Sequence, residues 1–122
     1  MEGANLKGPS SKADVKLVNV FDLERVIAFI PPGHTHTRVL IKFKDGSTLI
    51  FQQAVIDGII RTFLDVALHP ENAVSEFVPE LIPKDRRKPG FAKWQLMPSL
   101  RDKGEVMRDA VEALRKTLQD VG

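Results

Sequence analysis

Residues 37–53, TRVLIKFKDGSTLIFQQ, constrain the fold more tightly than any other stretch. Two runs rich in β-branched and aromatic residues flank Asp45-Gly46, the pattern of a β-hairpin. A two-residue turn at Asp45-Gly46 would mix Lys42 and Leu49 with Leu40 and Phe51 on one face. A three-residue loop over Lys44, Asp45 and Gly46 instead pairs Phe43 with Ser47, Ile41 with Leu49 and Val39 with Phe51. Val39, Ile41, Phe43, Leu49 and Phe51 then share one face. Arg38, Leu40, Lys42, Thr48, Ile50 and Gln52 take the other. A slip of one position exchanges the faces, so burial selects the second register. It also places Gly46 at the left-handed position that closes such a loop.

Upstream, Val15, Leu17, Val18, Val20 and Phe21 form a β-leaning run, and residues 25–30 (RVIAFI) form a second. Pro31-Pro32-Gly33 stops the second, because proline cannot donate to a sheet ladder and glycine permits a tight turn. The two runs read as separate strands or as one strand broken near Asp22. Downstream, residues 54–68 read as a helix. Ile56, Ile59, Ile60, Phe63 and Ala67 follow helical spacing, while Asp57, Arg61 and Asp65, four apart, form a polar stripe with charge pairing. Val55, Leu64, Val66 and Leu68 widen the apolar surface, which calls for a sheet on one side and a second helix or another subunit on another. Gly58 costs ~1 kcal/mol relative to alanine inside a helix and marks a place where another backbone comes close. Pro70 ends the helix.

Proline punctuates the segment after this helix, at positions 79, 83, 89 and 98, leaving short extended pieces at 74–78 and 92–97 and a solvated loop at 84–88 (KDRRK). A last helix runs from Ser99 or Asp102 to Asp120. Its apolar face is Met107, Ala110, Val111, Leu114, Leu118 and Val121, and Asp102 with Glu105 suits its N-terminal cap. This order of elements predicts an α+β fold: a small antiparallel meander of three to five strands with two helices packed on one face. The polar, glycine- and serine-bearing residues 1–13 read as a flexible N-terminal tail ahead of a single domain over 14–122.

Composition narrows the chemistry. A chain of 122 residues should bury roughly two-thirds of the surface its unfolded form exposes, so it needs no cross-link. It has no cysteine, which excludes disulfides, thiolate metal sites and a thiol nucleophile and agrees with a cytoplasmic location. Eighteen basic against sixteen acidic residues leave a net charge of +2, too small to mark a nucleic-acid binder by bulk charge. No apolar stretch approaches the ~20 residues of a membrane span. The sequence has no nucleophile elbow, phosphate-binding loop, dinucleotide fingerprint or zinc-protease motif.

Three constellations carry chemistry. The first is Pro31-Pro32-Gly33-His34-Thr35-His36. In an extended chain His34 and His36 face the same side, and imidazoles so placed would hold a divalent metal, with a third ligand from His69, Asp22, Glu24 or a carboxylate of the late segment. This hexapeptide resembles the first metal motif of cupins. The glutamate that follows the histidines in that family is missing, with Arg38, Val39, Leu40 and Ile41 standing there instead. Without the metal, the segment reads as a turn leading into a strand. The second constellation, residues 84–94 (KDRRKPGFAKW), sets five basic residues against one acid. Lys84, Arg86, Arg87, Lys88 and Lys93 interleave with Phe91 and Trp94, an arrangement suited to phosphates and unstacked bases. The competing reading has the two rings anchoring a proline-rich crossing to the core. The third is the sheet face with Arg38 and Lys42, where Leu40 and Ile50 make an apolar island that needs a cover.

These features lead to an expected function: a small cytoplasmic interaction module without enzymatic activity, self-associating, with a dimer as the first expectation. A nucleic-acid-binding module is the alternative, using Lys84, Arg86, Arg87, Lys88, Lys93 and Trp94 with Arg38 and Lys42. A metal-dependent enzyme centred on His34 and His36 is the second alternative. No cofactor is expected beyond that divalent metal, and no membrane partner.

Overall fold

The structure, a computed structural model, describes residues 15–121, with side chains as far as Thr117. The tail expected at residues 1–13 and the side chains of Leu118 and Val121 lie outside the described residues. Among the described residues the fold is α+β, with five strands and two helices. These are β1 (Leu23–Phe29), β2 (Arg38–Phe43), β3 (Thr48–Gln52), α1 (Gln53–Ala67), β4 (Phe77–Leu81), β5 (Trp94–Pro98) and α2 (Lys103–Val121). The strands divide between two antiparallel sheets: a three-stranded sheet in the order β1-β2-β3 and a separate β4–β5 hairpin.

The β2–β3 hairpin has the three-residue loop. Val39 pairs with Phe51, Ile41 with Leu49 and Leu40 with Ile50. Phe43 N–H donates to Ser47 O (2.9 Å) and Gly46 N–H donates to Phe43 O (3.0 Å). Gly46 has φ of 97°, a conformation that a Cβ makes costly. The run at residues 25–30 becomes β1. The run at Val15, Leu17, Val18, Val20 and Phe21 does not form a strand. Its end is a 3-10 turn, Val20–Asp22, in which Asn19 N–H donates to Asp22 Oδ2 (2.8 Å) and Asp22 N–H to Asn19 O (3.0 Å). A short polar side chain that bonds its own backbone competes with a sheet ladder, and here it wins.

Helix α1 follows β3 without a loop. Its main contact is with β5, and the seam is Gly58, which is buried against Leu96. Around that seam two residues of the polar stripe, Arg61 and Asp65, find protein partners, while Asp57 is exposed. Arg61 donates to Leu96 O (2.7 Å) and stacks its guanidinium 5.4 Å from the centre of the Phe77 ring. Asp65 accepts from Ser75 Oγ (2.7 Å). So the expected charge pairing along the stripe gives way to contacts with the β4–β5 hairpin and the residues leading into it. The apolar side of α1 carrying Ile59 and Phe63 points away and is exposed.

Burial is correspondingly thin. Among the described residues only one large apolar side chain, Val106, is buried, with 8% of its surface exposed. The face carrying Val39, Ile41, Phe43 and Phe51 is half-buried, and Leu49 on it remains 48% exposed. Among the described residues, the burial expected for a chain of this length is therefore not reached.

Helix α2 is latched at its start. Arg101 makes a two-pronged bond to Glu76, Nε to Oε1 at 3.1 Å and Nη2 to Oε2 at 2.7 Å, and reaches Asp109 with Nη1 (2.8 Å). Asp102 Oδ2 caps Glu105 N–H (3.2 Å), as the sequence pattern predicts. The Arg101 and Ser99 hydrogen bonds hold the Glu76 carboxyl at about 2, below its usual 4.5. A carboxyl whose folded value is depressed stabilises the fold above its unfolded value and loses that contribution as pH falls through the folded one. The stability of the natural chain should therefore decline from about pH 4.5 toward pH 2 more steeply than that of Glu76→Gln, the two converging at the acid end. Urea unfolding of both chains across that range checks this. Curves that run parallel would mean the latch is not coupled to folding.

Candidate functional site

The segment that follows the first Pro-Gly turn meets the second such turn in space. Phe91 N–H donates to Lys88 O (3.1 Å), closing a β-turn with Pro89 and Gly90 (φ 83°) at its centre, the geometry of a type II turn. His36, just after the first turn, reaches across: its Nε2 lies 2.6 Å from Gly90 O. A carbonyl only accepts, so Nε2 donates to it, and Thr35 Oγ1 lies 3.3 Å from Nδ1. Arg38 Nη1 donates to His36 O (2.7 Å), which adds a second tie to the same corner.

This bridge walls a cavity of about 500 Å³ between the start of α1, residues 82–92 and β5. Arg61, Arg86 and Lys88 bring positive charge to its lining, and among the described residues Asp57 is the one carboxylate there. Ile60, Ile82, Phe91 and Met97 supply apolar wall. Two side-chain amides complete it. Gln53 Oε1 accepts from Thr37 N–H (2.7 Å), which leaves its NH₂ to donate. Gln95 Nε2 donates to Ala92 O (2.8 Å), which leaves its oxygen to accept.

Not all of the sequence-predicted residues converge here. His36, Arg86 and Lys88 line the cavity, and Arg38 adjoins it through His36. Lys84, Lys93 and Trp94 are exposed on the same hairpin outside the cavity, and Arg87 is half-buried. Lys42 sits four positions along β2 from Arg38, 4.0 Å from Glu24, and does not join the group. Trp94 is 58% exposed and Phe91 54%, so neither ring anchors the crossing to a core. His34 is exposed. Among the described residues no three His, Asp or Glu side chains gather as a metal site, and a metal on His36 Nε2 would have to displace its bond to Gly90. Asp57, Arg61, Gln53 and Gln95 carry no site signal in the sequence; Asp57 and Arg61 stand out there only through their place in the polar stripe.

A second surface is apolar. On one face of the three-stranded sheet Ile27, Leu40 and Ile50 lie side by side across all three strands, with Ile50 58% exposed. A further apolar surface is the outer side of α1, where Ile59 is 51% and Phe63 68% exposed. Monomers leave apolar patches of this kind uncovered when they mark a contact surface. No helix is long and apolar enough to cross a membrane among the described residues. Compared with known families, curated proteins and solved structures, the chain matches none.

Proposed function

We propose that the chain is a cytoplasmic, non-enzymatic interaction module that assembles with a second copy of itself, with the outer face of α1 at the centre of the contact. The observation that carries this reading is the orientation of α1. Gly58, Arg61 and Asp65 take the intramolecular seam, while Ile59 and Phe63 are left exposed. A helix with its apolar side outward gains from burial at ~25 cal/mol per Å² only when something covers it. A two-fold pairing lets one patch serve both copies. The Ile27–Leu40–Ile50 row supplies further apolar area. Light scattering at tens of micromolar should give about twice the 13.6 kDa chain mass, as two-fold pairs are the commonest assemblies. A mass of one chain at that concentration would remove the reading.

A second reading has a specific support of its own. Trp94 and Phe91 are exposed beside Arg86, Lys88 and Lys93, as rings and cations are on surfaces that bind single-stranded nucleic acid.

A further inference from the structure

We propose that the cavity bounded by His36, α1 and residues 82–92 is a binding site for a small organic anion, an aromatic ring system that carries a phosphate or a carboxylate. The site stands whether or not the chain self-associates.

Its size fits. About 500 Å³ lies within the ~300–1,000 Å³ of small-molecule sites, which are mostly apolar with a few placed polar groups. Its charge selects an anion. Arg61, Arg86 and Lys88 face a single carboxylate, Asp57, and among the described residues none of the three cations has an ion-pair partner. Arginine forks bind phosphate and carboxylate oxygens in pairs. The Phe91 ring, with Ile60, Ile82 and Met97, offers the apolar contact that a free inorganic anion would leave unused.

The walls are also held in place. His36 bonded to Gly90 pins the 88–91 turn. Arg61 is fixed by the Leu96 carbonyl and the Phe77 ring, yet a guanidinium has five N–H donors, enough to serve a ligand as well. Gln53 and Gln95 retain one donor and one acceptor for polar edges of the ring system. Groups fixed before binding cost less to order when the ligand arrives.

The test is an amide-shift titration of the ¹⁵N-labelled full chain by NMR. The probes are 1-naphthyl phosphate, 1-naphthoate, 1-naphthol, inorganic phosphate and a short single-stranded oligonucleotide. At least one of the two aromatic anions should saturate, moving the amides of Gly90, Ala92 and Gln95, and comparison of the two tells which anionic group is preferred. Naphthol and inorganic phosphate, each carrying half of the recognition, should bind about tenfold weaker or less. The double variant Arg86→Ala, Lys88→Ala should weaken the aromatic anion by roughly tenfold. Both side chains are exposed on a loop, so its spectrum should otherwise match. Equal affinity for naphthol, an unchanged double variant, or shifts centred on the Phe63 face would overturn the proposal. So would binding of the oligonucleotide with neither aromatic anion, which would turn the segment over to nucleic acid.

Discussion

Gly58→Ala should destabilise the chain by about 2 kcal/mol, as overpacking of a tight contact does. The direction is the informative part. In an exposed helix interior the same change adds ~1 kcal/mol of stability, because alanine is the better helix former. Here a Cβ at Gly58 would lie 2.6 Å from Leu96 Cβ and 2.8 Å from its Cγ. Leu96 Cβ is fixed to the β5 backbone and cannot swing aside as a chain end could, so α1 and β5 must separate. That separation also strains the Arg61 bond to the Leu96 carbonyl. Thermal and urea unfolding of Gly58→Ala, Leu96→Ala and the double variant form a cycle. The two changes should be coupled by about 1 kcal/mol or more, with the double variant less damaged than the sum of the singles. If Gly58→Ala raises the melting temperature, the close approach of α1 to β5 is wrong.

Phe63→Asp should abolish the self-association proposed above. In a two-fold contact each substitution appears twice, and a central aromatic contributes ~2 kcal/mol or more per copy. The dissociation constant should then rise by roughly three orders of magnitude. Sedimentation velocity over a dilution series measures this. Phe63→Leu, which keeps the apolar contact, should stay within about tenfold of the natural chain. Because so little apolar surface is buried among the described residues, the proposed assembly should be linked to folding. The melting temperature of the natural chain should climb with protein concentration, whereas that of Phe63→Asp should be lower and flat. An aspartate variant that sediments like the natural chain would exclude the outer face of α1 from the contact.

The parts of the fold legible in the sequence are those decided locally. The β2–β3 register follows from one requirement, that Val39, Ile41, Phe43, Leu49 and Phe51 share a face, together with a glycine suited to the turn. Helix α1 follows from spacing. What spacing cannot decide is which side of α1 faces the rest of the chain. Its apolar side reads as the inward one, but the small Gly58 permits a closer approach to β5 than any larger residue would, and Arg61 and Asp65 find partners on that side. The β4–β5 pairing is hidden for another reason. Pro79 lies in β4, and proline argues against a strand except at an edge. In a hairpin of two strands, each strand has an open edge. The Val15-to-Phe21 run misleads because hydrophobicity signals a strand without showing that a partner strand exists.

The site divides the same way. Arg86, Lys88, Phe91 and His36 stand out through charge, ring interleaving and residue type. Their convergence with Asp57 and Arg61 is not readable, because it depends on how α1 seats on a hairpin formed about thirty residues later, a contact set by tertiary packing rather than local pattern.

The outer strand β3 has a consequence for the chain when it is alone. Its sequence, TLIFQ, carries no charge and no proline, and it lies at the rim of its sheet. Such a segment is a template for cross-β stacking into fibrils. A partner that shields this rim would therefore do more than complete a complex: it would keep freshly made chains from nucleating an amyloid deposit.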